Sequence, residues 1–326
     1  MEWLKDYIGV FEKEMVRAVP KDKEPWGVYG VTWDILRRGG KRIRPVMAML
    51  SCEAVGGKRE DALPAALAVE LFHNFTLIHD DIEDNSQLRR GEPCLHIKFG
   101  IPLAINAGDG LFMMVFKSFL ESSIPDKKKI KILHNLTEVF TKVLEGQGTE
   151  INWERENKWD VTEKDYFGMI EGKTASLIAG SCWAGAYIGG KEKHAPALKE
   201  FGRLAGILFQ VKDDLLNLTG EEKKYRKEIG GDIAEGKRTL MVLHALKNLN
   251  QNESARLMEI IGKRNANQEE IKLAISLIAK SGSIEHTEEQ IRQLYKNAKK
   301  ELFKLQKSRA RDRLEEILDF FVKREV

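Results

Sequence analysis

The stretch Leu77–Pro93, LIHDDIEDNSQLRRGEP, decides how the chain is read. Four acids, Asp80, Asp81, Glu83 and Asp84, close an apolar run, and Arg89 and Arg90 follow. On a helix, Asp80 and Asp84 stand one turn apart on one face, with Asp81 beside them. Carboxylates so close repel one another unless cations sit between them, and hard oxygen ligands suit Mg²⁺. The two arginines would take oxygens of an anion that the metal also holds, a phosphate by preference. Taken alone, one such motif also reads as a solvated helix end of mixed charge. A calcium loop starting at Asp81 fails at its sixth position, where Ser86 stands in place of the glycine the turn requires. A second acid cluster elsewhere would decide between these readings.

Outward towards the N-terminus, Leu63–His79 is a helical pattern with Leu67, Leu71, Phe75 and Ile78 on one side. His73 lies two turns before Asp80 on the same face; most lone helical histidines are core residues, but this face also carries the carboxylates. Further back, GGKRIRP (Gly39–Pro45) precedes the apolar helix Val46–Val55. Bases at a helix start oppose the local dipole unless an anion binds there, where free N–H groups would also meet it. The paired glycines allow close backbone approach. Residues 1–19 read as an amphipathic helix. Pro25–Gly27 and Gly30 read as a loop, with a second helix from near Val31 that stops at Gly39–Gly40.

In the other direction, Ile105–Leu120 reads as a buried helix, and Ile130–Gln147 as an amphipathic one ending in EGQGTEIN. Gln147 and Glu150 there are either polar pocket wall or cap. GKTASL (Gly172–Leu177) sets Lys173 among apolar residues, where a buried charge requires a partner. FQVKDDLLNLTG (Phe209–Gly220) is the second acid cluster: Asp213, Asp214 and Asn217 repeat the spacing of Asp80, Asp81 and Asp84. The polar, glycine-broken segment after it carries Lys227, Asp232 and Lys237 and reads as an ordered loop over a site. The helices beyond Thr239 read as scaffold.

The bulk numbers agree with a large helical protein. Of 326 residues, 42% are hydrophobic and 32% charged, and only 8 are proline, which favours an all-α chain with a substantial core. A net charge of +3 gives no ground for nucleic-acid binding. Cys52, Cys94 and Cys182 form no metal-ligand pair, and no leader is evident, so a cytoplasmic, soluble protein is expected. The apolar stretch Leu177–Gly190 is too short to span a bilayer, and no transmembrane segment is expected.

Two acid-ended helices facing one another would form a bowl for several Mg²⁺ ions, with bases neutralising the rest of a diphosphate. A phosphate-binding GxxxxGK[ST] loop, a kinase set and an obvious nucleophile with an adjacent base are all missing from the sequence. The diphosphate is then a leaving group rather than a phosphoryl donor.

From about Gly39 to Leu240 the chain resembles the trans-isoprenyl diphosphate synthases, or polyprenyl synthetases. GGKRIRP, DDIEDNSQLRRGEP, GKTASL, FQVKDDLLNL and GGDIAEGKRTL all stand in that family's order. The resemblance implies one domain over residues 1–326: an all-α helical bundle around a deep central cavity, of the isoprenoid synthase type, usually a homodimer. It implies Mg²⁺, three ions per active site, held on the allylic diphosphate by Asp80, Asp81 and Asp84, with a further ion on Asp213 and Asp214. Arg89, Lys173, Lys227 and Lys237 would contact the allylic diphosphate. Lys41, Arg44, His73 and Arg90 would bind the diphosphate of isopentenyl diphosphate. Thr174 and Gln210 would line the reacting carbons, where oxygen dipoles stabilise an allylic cation. Asn217 departs from the usual acid and offers a neutral metal ligand or a bond to a neighbouring group.

The product chain would run from the acids towards the N-terminal end of their helix. Phe75 lies about 7.5 Å along that axis from Asp80, with small Thr76 beside it and Phe72 deeper. One aromatic at this place resembles synthases of the twenty-carbon geranylgeranyl product; paired aromatics would resemble farnesyl diphosphate synthases. A class I terpene cyclase would not require GGKRIRP and Arg90. A non-catalytic partner subunit would usually lack the first acid motif.

Overall fold

The apolar pattern ahead of Asp80 forms one helix, α4 (Leu63–Glu83). The computed structural model describes residues 1–220, 229–263 and 265–324. Pro64 stands in the first turn of α4, where a missing N–H removes no helical bond. Residues 65–72 are buried without a break, so this end of α4 is enclosed by core on all sides. A Schellman closure ends the helix: Asn85, at φ 53°, donates to Ile82 O (3.2 Å), and Ser86 donates to Asp81 O (2.9 Å).

The chain divides into two compact units. One comprises Met1–Phe140, Gly180–Lys199 and Leu305–Leu314; the other Thr141–Ala179, Glu200–Lys304 and Glu315–Val326. The remaining early helices are α1 (Leu4–Ala18), α2 (Trp26–Leu36), α3 (Ile43–Ala54), α5 (Leu95–Phe99), α6 (Ile101–Leu120) and α7 (Asp126–Arg155). In the first unit, α4 packs mainly on α6 and α3, and α2 packs on α6. The all-α expectation holds; among the described residues the only strands are Leu88–Arg89 and Glu92–Pro93, paired antiparallel.

Two boundaries and one burial pattern differ from the sequence reading. First, α2 begins at Trp26, so the glycines expected in a loop are helical. The Trp26 indole folds over Gly30, where a Cβ would meet its Nε1 at 2.2 Å. Second, α7 runs on through EGQGTEIN to Arg155, because Gly146 packs against the backbone of Gly172 and Lys173. Third, α6 is not buried all round: Ala104, Ala107, Leu111 and Val115 face the core, while Ile101, Ile105, Met113 and Leu120 are exposed. Among the described residues α6, rather than Leu177–Gly190, is the helix long and apolar enough to cross a membrane by length and composition.

The later helices are α8 (Glu163–Ile170), α9 (Ser176–Ile188), α10 (Ala195–Thr219), α11 (Gly231–Glu235), α12 (Leu240–Asn248), α13 (Gln251–Ile260), α14 (Gln268–Lys280), α15 (Ser283–Leu302) and α16 (Arg309–Lys323). Between α8 and α9, Glu171–Ala175 forms a π turn, closed by Ser176 N–H and Ser176 Oγ on Glu171 O. In the second unit, α12 packs on α15 and α14, and α13 on α14. Side-chain oxygens of Thr162, Thr239, Asn250 and Asn267 cap α8, α12, α13 and α14. Each such cap contributes about 1 kcal/mol.

Candidate active site

In the first unit the acids sit at the C-terminal end of α4, where the helix dipole opposes negative charge as the neighbouring carboxylates do. Arg89 answers part of that charge: its Nε donates to Asp81 Oδ1 (2.8 Å), and its Nη2 lies 3.4 Å from Asp80 Oδ2. Asp81 is buried beneath this contact, Asp80 and Asp84 are half-buried, and Glu83 is exposed.

The hairpin that delivers both arginines was not read from sequence. Arg90 and Gly91 take φ 56° and 80°, the paired positive values of a two-residue I′ turn. Arg38 pins it from below by donating to Pro93 O (2.9 Å) and Arg89 O (3.3 Å), and Arg37 pairs with Glu92 at 2.7 Å. Arg90 in turn donates to Gly39 O, and a Cβ on Gly40 would lie 3.2 Å from the Arg90 guanidinium. Gly40 therefore makes room for Arg90, and Gly39 supplies a left-handed turn at φ 73°.

Of the three bases in GGKRIRP, Arg42 is structural: it is buried, pairs with Glu70 at 2.7 Å and donates to Leu36 O at 2.8 Å. Lys41 and Arg44 are the other two bases of the segment. Arg44 Nη1 approaches His73 Nε2 at 3.2 Å. Burial, then the charges of Arg44 and Arg90, hold the His73 pKa well below the usual imidazole value, so the ring is neutral and Nε2 accepts. Burial, followed by Arg42 and Arg89, pushes Arg90 down to about 10. Arginines crowded around a neutral imidazole favour an anionic guest.

Deeper along α4, Phe72 is fully buried and stacks on Phe140, with centroids 3.8 Å apart. Phe75 contacts Phe72 at 5.5 Å and Phe112 at 5.1 Å. Thr76 donates its hydroxyl to His73 O (2.9 Å), so its polar atom is satisfied within the helix.

The second unit holds a cavity of about 90 Å³ lined by Glu150, Lys173, Thr174, Gln210, Asp213, Asp214, Asp232 and Lys237, among others. The π turn places Lys173 and Thr174 on it; such turns recur at functional sites. Lys173 Nζ pairs with Glu150 Oε2 at 2.5 Å. Thr174 Oγ1 donates to Gln210 Oε1 (2.9 Å), and Gln210 Nε2 donates to Asp214 Oδ1 (2.8 Å). The buried Tyr166 hydroxyl donates to the other oxygen, Oδ2, at 2.7 Å. Burial first, then the charge of Asp232, pushes the Asp214 carboxyl up to about 8 despite these donors.

Asn217 accepts the Asp232 N–H on Oδ1 (3.1 Å), and its backbone oxygen accepts Gly230 N–H (2.8 Å). It thus holds the segment that brings the Asp232 carboxylate to the cavity. Lys237 pairs with Glu235 at 2.9 Å. Next to it, Arg238 donates to the carbonyls of Trp153 (2.8 Å) and Lys158 (3.0 Å) and lies 4.2 Å over the Trp159 ring. Lys227 lies outside the described residues.

Sequence reasoning gave no part to Tyr166, or to Arg324 just beyond α16, whose Nη2 donates to Asp213 Oδ1 at 2.9 Å. It noted Asp232 only as part of a loop. The GGD triplet was a usable signal for Asp232; nothing local could have flagged Arg324.

Among the described residues no three His, Cys, Asp or Glu side chains converge as a closed metal cage. The open carboxylate sets nevertheless fit Mg²⁺, which retains waters and shares substrate phosphates rather than filling an all-protein cage. Burial and the charge of Asp232 both disfavour the Asp214 carboxylate, a cost that a bound divalent cation would offset.

Residues 27–278 match the family model described as polyprenyl synthetase. The chain is 38% identical over 314 residues to the short chain isoprenyl diphosphate synthase of Methanothermobacter thermautotrophicus, covering 96% of this chain and 95% of that one. It is 36% identical over 313 residues to the geranylgeranyl pyrophosphate synthase of Geoglobus acetivorans, covering 96% of this chain and 95% of the relative. The crystal structure of a geranylgeranyl pyrophosphate synthetase from Pyrococcus horikoshii Ot3 superposes with a TM-score of 0.94 at 36% identity. That match covers 99% of this chain and 98% of the other.

Proposed function

Because the chain belongs to the polyprenyl synthetase family, we propose that it joins isopentenyl diphosphate to an allylic diphosphate, with geranylgeranyl diphosphate as product. The observation that carries this reading is the order of groups along α4. A buried aromatic block at Phe72 and Phe75 suits the end of a hydrocarbon chain. The acids at 80, 81 and 84, at the opposite end of the helix, suit the allylic diphosphate, and a neutral His73 among arginines, level with the aromatics, suits the second one.

Asp80, Asp81 and Asp84 would hold Mg²⁺ on the allylic diphosphate, and Asp213 and Asp214 a further ion. When bound, the metal neutralises the departing diphosphate and so assists ionisation. Arg89, Lys173, Lys227 and Lys237 fix that group, while Lys41, Arg44, His73 and Arg90 fix the isopentenyl diphosphate. The polarity of the Thr174–Gln210–Asp214 chain matters here. An ionised Asp214 takes the amide N–H₂, so Gln210 presents Oε1 to Thr174, whose hydroxyl donates and leaves oxygen lone pairs for the allylic cation. The isopentenyl double bond then attacks, and the released pyrophosphate takes the proton. The exposed apolar side of α6 supports a homodimer, and three buried thiols suit a reducing cytoplasm.

Mass spectrometry of products from purified protein, isopentenyl diphosphate and each allylic starter tests the reading, with Mg²⁺ and with EDTA. A linear twenty-carbon diphosphate formed only with the metal is expected. A fifteen-carbon product would refute the length assignment, and no condensation with any starter would refute the activity.

A further inference from the structure

The second acid cluster is met by a cation from a part of the chain that sequence reading assigned to scaffold. Arg324, one residue past α16, donates through Nη2 to Asp213 Oδ1 (2.9 Å) and to Phe209 O (3.0 Å). Its guanidinium lies 4.1 Å over the Phe209 ring, and its side chain is only 3% exposed. Phe209 and Asp213 are one turn apart on α10, so the guanidinium lies along that turn and meets ring, carbonyl and carboxylate together. Its Nε is buried without a hydrogen-bond partner. The fit to Asp213 is therefore incomplete, an unsatisfied donor that a stronger acceptor would relieve.

We propose that Arg324 is the resident counter-ion of Asp213 in the metal-free protein and yields that carboxylate to Mg²⁺ when the diphosphate arrives. The inference rests on the reading of Asp213 as a metal ligand. Asp213 is half-buried and shares a small cavity with Glu150, Asp214 and Asp232; such crowding of carboxylates is unfavourable without positive charge, and Arg324 supplies some of it before the metal does. Metal entry at Asp213 must then displace a guanidinium, so metal binds weakly alone and well with a diphosphate whose oxygens can take the released arginine. Arg324 acts through Asp213 and is a positioning residue.

The test is a Mn²⁺ titration of the full-length protein followed by electron paramagnetic resonance, with and without inorganic pyrophosphate. Wild type, Arg324→Gln, Arg324→Met and Asp213→Asn are compared, each first checked for folding by thermal melt. The methionine variant retains an apolar stem over Phe209. Without pyrophosphate, both Arg324 variants should bind the ion that Asp213→Asn loses about tenfold more tightly, a change of about 1.4 kcal/mol. With pyrophosphate the difference should shrink. Equal or weaker binding in whichever Arg324 variant folds would overturn the proposal. Unchanged binding in Asp213→Asn would instead remove Asp213 from the metal site altogether.

Discussion

Arg44 Nη1 stands 3.2 Å from His73 Nε2, and the imidazole accepts the contact because its surroundings keep it uncharged. A neutral acceptor can orient Arg44 without neutralising it, so the arginine keeps its whole charge for an anion. His73→Leu should raise KM for isopentenyl diphosphate about tenfold, the size of one lost charge-assisted contact, with little change in KM for the allylic partner. The folded-state pKa is depressed below the ordinary 6.5, so the unfolded chain binds the proton first. Stability from this site is present above about 6.5 and declines as pH falls below it. Melting temperatures at pH 7.5 and pH 5 check the sign, and the variant should lose less on acidification than the wild type.

The aromatic block predicts a stepwise product series. Phe75 is the nearer ring to the acids, and the Phe72–Phe140 stack lies one turn deeper. Phe75→Ala should lengthen the main product by one isoprene unit and stop at the stack. Phe72→Ala alone should leave it unchanged, and the double variant should release much longer chains. Each truncation should also destabilise by about 3 kcal/mol as a core cavity. Product mass spectra decide; an unaltered distribution from Phe75→Ala would remove that ring as the floor.

Asp214, raised to about 8 by burial and Asp232, couples metal binding to a proton. Below that value a metal must displace the proton, so apparent Mg²⁺ affinity should rise about tenfold per pH unit up to about 8 and then level. In metal-free protein the folded state keeps this proton when the unfolded state has lost it. Stability is therefore lost as pH climbs from about 4 through about 8. Asp214→Asn should raise the metal-free melting temperature at pH 8.5, leave it nearly unchanged at pH 4, and lower turnover at least about a hundredfold. Calorimetry at several pH values, with and without Mg²⁺, reads all of these.

A Cβ on Gly146 would lie 2.3 Å from Lys173 N and 2.9 Å from Met169 O, both backbone atoms with little room to move. Gly146→Ala should push the π turn away from α7, costing about 2 kcal/mol as overpacking. It should also cut kcat about tenfold or more through misplaced Lys173 and Thr174. Denaturant melts and steady-state kinetics separate the two effects, and an unchanged kcat would show that the turn tolerates displacement.

How far the chain could be read from its letters followed the range of each interaction. The α4 acids, the GGKRIRP start and the DDLLN cluster were legible because periodicity and charge act within a turn or two. The helical identity of Gly30 was not, since it rests on Trp26 filling the space beside it, nor was the continuation of α7 past Gln147, since Gly146 packs on the distant backbone of Gly172. Arg42 looked like one of three phosphate bases until Glu70, from another helix, took its charge. Arg324 was silent because its meaning is a contact with Asp213, more than a hundred positions earlier. The bond from Asp232 N–H to the Asn217 side-chain oxygen was equally silent, because it joins residues fifteen positions apart.

The π turn at Glu171–Ala175 has a consequence for how the chain tolerates change in length. It is one surplus residue accommodated inside an otherwise regular rod, so the faces of α8 and α9 cannot be drawn on a single helical wheel. Deleting one residue there would let the rod close as plain α-helix, with its caps intact. It would also turn Lys173 and Thr174 by about 100° relative to one of the two flanking helices. The buried side chains of that helix, Tyr166 and Ile170 on α8 or Leu177 and Ile178 on α9, would turn by the same angle, so packing and chemistry are tied to one length at this turn.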